Sequence, residues 1–132
     1  MIIGTGADIV DARRIGRMLE RHGGRFLEKV FCAAERERAA SLGGEAAVCL
    51  LARRWAAKEA AAKALGTGFR DGVGWRDICV GNDAMGCPRL SFSAAAAERL
   101  ERLTPQGMRA RAHLSLSDEY PYAQAFVVIE AI

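Results

Sequence analysis

At 132 residues the chain suits one domain spanning 1–132, large enough for an ordinary core without staples. Hydrophobic residues make up 51%, charged residues 27%, and the net charge is +3. These values exclude a disordered or fibrous chain and are too mild to imply nucleic acid. No apolar run reaches membrane-spanning length, and the apolar start meets Asp8 without a basic leader. The chain therefore reads as soluble and cytoplasmic, with neither a membrane nor a nucleic-acid partner.

In chain order, residues 2–10 predict a strand with Ile2, Gly4, Gly6, Asp8 and Val10 on one face. Asp11 is a good N-cap for a helix running to about His22, stopped by Gly23 and Gly24. A short apolar segment, 26–31, leads into a polar helix over 33–42 that ends at Gly43 and Gly44. The longest and most apolar helix, over 45–65, is rich in alanine and stops at Gly66. Short strands near 76–81 and 88–92 join through a hairpin turn at 82–86. Ser93 is placed to cap a helix reaching about Leu103, and two final strands, 110–117 and 122–131, flank a turn at 118–121. Helices mixed with hairpin-connected strands predict an α+β fold. So few strands leave little sheet per monomer, so pairing with a second copy of the chain is expected.

The four cysteines, Cys32, Cys49, Cys79 and Cys87, form no C-x-x-C pair and no Cys/His cluster at zinc spacing. Buried, reduced thiols are the expectation. His22 and His113 have no partner at ligand spacing, which argues against zinc or a Cys–His nucleophile.

Several charges call for an explanation. Asp8 sits mid-strand against local propensity, beside glycines whose lack of bulk would let a ligand approach closely. Capping the next helix is the alternative role, for which Asp11 is better placed. Glu59 and Lys63 lie one turn apart on the long helix, with Ala52 and Ala56 beneath them. An exposed pair of this kind gives only about 0.3–0.5 kcal/mol. This helix is apolar nearly all round, however, and a buried carboxylate needs a cation or hydrogen bonds. Arg54 and Lys58 also stand one turn apart, and repel unless an anion lies between them; the readings are two solvated side chains or a bound phosphate. Two carboxylates with nearby Lys and Arg are what a Mg²⁺-bridged phosphate requires. Gly66, Thr67 and Gly68 offer either backbone contact with a phosphate or only a helix stop. In the first helix, Arg14, Arg17, Arg21 and Arg25 recur with helical spacing, flanked by Met18. They make a solvated face or a docking face for an acidic partner.

Through these residues the sequence resembles the holo-acyl-carrier-protein synthases, the short bacterial class of 4′-phosphopantetheinyl transferases. The likeness runs from I-I-G-T-G-A-D-I-V at 2–10, through R-W-A-A-K-E-A-A-A-K-A-L-G-T-G at 54–68, to D-I-x-V from Asp77 and G-x-P-x-L from Gly86. It closes with L-S-L-S at 114–117 and A-Q-A-F-V-V-I-E at 123–130, so it covers nearly the whole chain. The resemblance implies the 4′-phosphopantetheinyl transferase fold, a small antiparallel sheet with a long apolar helix. It also implies a homotrimer with strands near the subunit interface and an active site at each boundary. By the same resemblance Asp8 and Glu59 would ligate Mg²⁺ against the pyrophosphate of coenzyme A, and Lys63 would sit at the attacked phosphate. Arg54, Lys58, Gly66, Thr67 and Gly68 would line the donor site, and Ser115 and Ser117 would serve the neighbouring chain's donor. Arg14, Met18, Arg21 and Arg25 would meet the acidic helix of an acyl carrier protein. The implied reaction moves 4′-phosphopantetheine from coenzyme A to a carrier serine, in fatty acid biosynthesis. Glu59 or a metal-bound water would be the base. Asp118 departs from the family, which commonly has histidine there. Two other readings are a Mg²⁺ enzyme hydrolysing pyrophosphate compounds and a non-catalytic module binding through the arginine stripe.

Overall fold

A computed structural model describes residues 1–132. Its elements are β1 (Ile2–Asp11), α1 (Ala12–His22), α2 (Gly24–Val30), α3 (Ala33–Leu42) and α4 (Gly44–Ala64), then a 3₁₀ turn at Trp75–Asp77. They continue with β2 (Ile78–Asn82), β3 (Pro88–Phe92), α5 (Ala94–Leu103), β4 (Ala110–Glu119) and β5 (Tyr122–Ala131). Strands β1, β5 and β4 form one antiparallel sheet in that order, and β2 and β3 form a separate hairpin. The fold is α+β, as expected, and no helix is long and apolar enough to cross a membrane.

Helix α4 lies across the three-stranded sheet and supplies more of the core than any other element. Leu50, Leu51, Ala52, Trp55, Ala56, Ala57, Ala60, Ala61 and Ala62 are all buried on it. Strand β5 alternates with period two, so that Ala123, Ala125, Val127 and Ile129 face the helix. The small residues on both sides bring helix and sheet backbones together. A Cβ added at Gly6 would overlap the carbonyl oxygen of Ala60, and one at Gly4 would overlap that of Ala64. This corrects the expectation that the glycines of β1 make room for a ligand: the space they leave is filled by α4 itself.

Three other expectations change. Residues 26–30 of the short apolar segment lie in helix α2, which starts after Gly23 at φ 51° and ends before Phe31, so Arg25 stands on a different helix from the other arginines. Strands β1 and β4 are the edges of the main sheet, and one face of that sheet is uncovered. On that face Ile9 is 64% exposed and Phe126 48% exposed. Cys32 and Cys79 are not free thiols; a disulfide joins them, with Cα atoms 6.1 Å apart. Their separation of 47 residues along the chain hid the proximity that α3 and β2 create. Cys87, expected buried, is exposed.

Candidate active site

Asp8 shares the face of β1 that carries Gly4 and Gly6, so the close approach of α4 at Ala60 brings its carboxylate to the helix. Lys63 donates to Asp8 Oδ1 at 3.1 Å and to the Ala7 carbonyl at 2.9 Å. The lysine side chain remains half exposed while that of Asp8 is mostly shielded. Glu59, one turn earlier on α4, has its carboxyl raised above the ordinary glutamate range. Shielding from water is the main cause, the charge of Asp8 adds to it, and Lys63 and Arg14 oppose it. Two carboxylates thus crowd one patch against a single close ammonium. Hard oxygen donors with uncompensated negative charge suit a Mg²⁺ ion that takes its remaining ligands from phosphate and water. The residues present fit that group.

The turn after α4 begins at Leu65, two residues past Lys63. Gly66 and Gly68 adopt φ 80° and 59°, a region open to glycine. Gly66 N–H donates to the Lys63 carbonyl and Gly68 N–H to that of Ala62, while Thr67 Oγ1 donates to the Gly68 carbonyl. Both glycine amides are engaged in ending the helix.

Lys58 does have an anion beside it, and it is Glu35. Lys58 Nζ meets Glu35 Oε1 at 2.8 Å, with both side chains fully shielded. Lys58 also donates to the carbonyls of Trp75 and Ile78. Burial pushes the lysine pKa down, against the pull of the Glu35 charge. Glu35 in turn accepts from the backbone N–H groups of Cys32 and Val80, the former as a capping box on α3. Lys58 is therefore removed from the expected donor-lining set: its ammonium faces the interior because its partner comes from α3. Arg54 fares differently. Its Nη2 donates to Asn82 Oδ1 at 3.0 Å, and its buried Nε has no partner. It lines an open cleft of about 710 Å³ with Arg38, Arg53, Asn82, Ser115 and Asp118. An orphaned guanidinium N–H in an arginine-rich cleft is suited to an anion. Asp118, the departure from the family pattern, pairs with Arg53 at 3.0 Å. Ser117 lies one residue pair farther along β4, exposed.

On α1, Arg14, Arg17, Met18 and Arg21 line a shallow groove of about 200 Å³. The Arg14 guanidinium lies 5.5 Å from the centre of the Trp55 ring. Arg25, beyond Gly23, is outside that groove.

Reading the sequence missed Glu35, Arg38, Arg53 and Asn82. Two signals pointed to Glu35: its capping-box spacing to the start of α3, and a lysine within an otherwise apolar helix. Nothing local marked Asn82, which reaches Arg54 only through the fold.

A family model described as the 4′-phosphopantetheinyl transferase superfamily matches residues 4–125. The holo-[acyl-carrier-protein] synthase of Paramagnetospirillum magneticum is 57% identical over 131 residues, covering 99% of this chain and 98% of that protein. The enzyme of the same name from Nitrobacter hamburgensis is 51% identical, covering 100% and 96%. Among solved structures, the holo-[acyl-carrier-protein] synthase of Neisseria meningitidis superposes with a TM-score of 0.85 at 42% identity, over 98% of this chain and 99% of that one. The Bacillus anthracis synthase, solved in complex with coenzyme A (3′,5′-ADP), gives 0.81 at 36% identity, over 100% and 99%. With the family model matching most of its length and the fold in agreement with these relatives, the chain belongs to the 4′-phosphopantetheinyl transferase superfamily and is a transferase.

Proposed function

We propose that this protein transfers the 4′-phosphopantetheine of coenzyme A to a serine of an apo acyl carrier protein, in the cytoplasm, as a Mg²⁺-dependent step of fatty acid biosynthesis. The observation that carries this reading is the convergence of Asp8, Glu59 and Lys63 where β1 crosses α4. The coenzyme A found with similar synthases supports the donor.

In this mechanism Asp8 and Glu59 hold the ion. Bound there, Mg²⁺ supplies positive charge to the donor pyrophosphate. The carrier serine oxygen forms a bond to the β-phosphorus of coenzyme A, and the bond to adenosine 3′,5′-bisphosphate breaks. Lys63, half exposed beside Asp8, neutralises charge at the attacked phosphate, an effect strongest in the transition state. Glu59, or a water held by the ion, would accept the serine proton. Thr67, in the turn that ends α4, lines the donor site with Gly66 and Gly68. The groove of Arg14, Met18 and Arg21 receives the acidic helix of the carrier, with Arg25 at its margin.

The anion-suited cleft belongs to the neighbouring copy's donor. Arg54 and Glu59 are separated by about 140° around α4, so one chain presents them to different sides. A homotrimer closing over the uncovered sheet face, where Ile9 and Phe126 are exposed, lets one chain's carboxylates and the next chain's Arg54, Arg38 and Ser115 grip a single donor.

Intact-mass measurement of an apo carrier protein incubated with the enzyme, coenzyme A and Mg²⁺ tests the proposal. One added phosphopantetheine is expected. Breakdown of coenzyme A with an unmodified carrier would instead favour a hydrolase.

A further inference from the structure

The disulfide between Cys32 and Cys79 joins two elements that wall the arginine cleft. Cys32 is the N-cap residue of α3, which carries Arg38, and Cys79 lies on β2, which ends in Asn82, the partner of Arg54. Both cysteines are half-buried, so neither sulfur is sealed inside the core. The surroundings accommodate either oxidation state. The Arg76 carbonyl lies 3.4 Å from each sulfur, ready to accept from a thiol in the reduced form. Lys58 Nζ lies 4.0 Å from Cys32 Sγ, where a positive charge favours the thiolate that exchange requires. Metal ligation by the same cluster fits less well. Cys32, Glu35 and Cys79 offer ligand atoms within 4.8 Å of one another. The Glu35 oxygens, however, are already taken by two backbone N–H groups and Lys58, whose charge would repel a cation.

We propose that Cys32 and Cys79 are a reversible thiol–disulfide pair whose oxidised form holds α3 and β2 together as the walls of the arginine cleft, so that affinity for the donor nucleotide follows the redox state. This rests on the reading of that cleft as part of the donor site. In the reducing direction, a thiolate of an external dithiol attacks Cys79 Sγ and Cys32 leaves as a thiolate. The second thiol of the dithiol then displaces Cys79. The pair gains two electrons and two protons, and the dithiol becomes a disulfide. A low-molecular-weight disulfide such as oxidised glutathione reverses the exchange. In a cytoplasmic protein such a bond is of the switching rather than the permanent kind.

The test compares the full-length protein equilibrated with oxidised glutathione or with dithiothreitol. Alkylation under denaturing conditions should label two cysteines after oxidation and all four after reduction. Reduction should lower Tm by roughly 5–10 °C. It should also weaken binding of adenosine 3′,5′-bisphosphate, measured calorimetrically, by about three- to tenfold. Cys32→Ser with Cys79→Ser should behave as the reduced protein in both buffers. Labelling of all four cysteines after oxidation would overturn the proposal, as would equal nucleotide affinity in the two states. Failure of the transfer reading is distinguishable: coenzyme A would then yield no modified carrier in either redox state, while the thiol count and Tm would still respond.

Discussion

The Glu35 carboxylate and the Lys58 ammonium meet 2.8 Å apart with neither side chain open to water. They tie α3 to α4, and through Val80 N–H and the Ile78 carbonyl they tie both to β2. Leaving one partner of such a pair buried alone is costly. Lys58→Met is expected to lose about 3–5 kcal/mol in urea unfolding. Adding Glu35→Gln to Lys58→Met should recover about 1 kcal/mol, because it removes the stranded charge while glutamine still offers an acceptor to one of the Cys32 and Val80 amides. A double variant no more stable than Lys58→Met would contradict this account.

At Glu59 the sign of the pH effect can be worked out. Shielding and then the Asp8 charge raise its pKa in the folded, metal-free protein. Over the window from the unfolded glutamate value, about 4.3, to that higher folded value, the folded state binds more protons than the unfolded chain. The stability contributed by that proton is complete below the unfolded value and is lost as pH rises through the folded one. Glu59→Gln should therefore melt higher than the metal-free wild type at neutral pH, with the gap closing below about pH 4. Its transfer rate should fall at least about a hundredfold. Chelation of Mg²⁺ should abolish transfer reversibly without changing far-UV circular dichroism. Melting curves across pH together with the mass assay give all three readouts.

Gly6 is where β1 and α4 touch, and a methyl group there has nowhere to go but into the Ala60 carbonyl. Gly6→Ala is expected to destabilise the protein by about 3 kcal/mol, beyond most surface changes. Whatever fraction folds should carry Asp8 displaced from Lys63, with weakened Mg²⁺ binding by titration. Gly81, where an added Cβ meets nothing within 4 Å, serves as the control position.

Phe126 tests the proposed assembly. It is half exposed at the middle of the uncovered sheet face and opposes Ala7 and Ser115 on either side. Phe126→Asp should yield monomers in sedimentation equilibrium with the far-UV spectrum of the parent. Such monomers should lose transfer activity, because Glu59 and Arg54 would no longer reach one donor. A fully active monomer would refute the shared site.

Arg14 lies at the junction of the α1 groove and the carboxylates, packed over Trp55 and near enough to Glu59 to affect its ionisation. Arg14→Ala and Arg21→Ala should each raise KM for the carrier protein about tenfold, with KM for coenzyme A nearly unchanged. Arg25→Ala should have the smaller effect, since Arg25 stands on α2 outside the groove. Steady-state kinetics with each substrate varied in turn separates these cases.

Local pattern was enough for much of this protein. Strand β1, helices α1, α3 and α4 and the strands of both hairpins follow from periodicity and from glycine stops, because those signals act within a few residues. Asp8, Glu59 and Lys63 stood out because each is a charge set against apolar or small neighbours, which no amphipathic surface requires. What pairs with what was another matter. That Glu35 pairs with Lys58, that Asn82 holds Arg54 and that Cys32 reaches Cys79 depend on α3 and the β2–β3 hairpin packing beside α4, and that Asp118 answers Arg53 depends on β4 reaching the same helix. Such contacts join residues tens of positions apart and leave no periodic trace. Gly4 and Gly6 show the same division. Their small size was plain from the sequence, but only the packed structure decided that a helix, and not a ligand, occupies the space they leave.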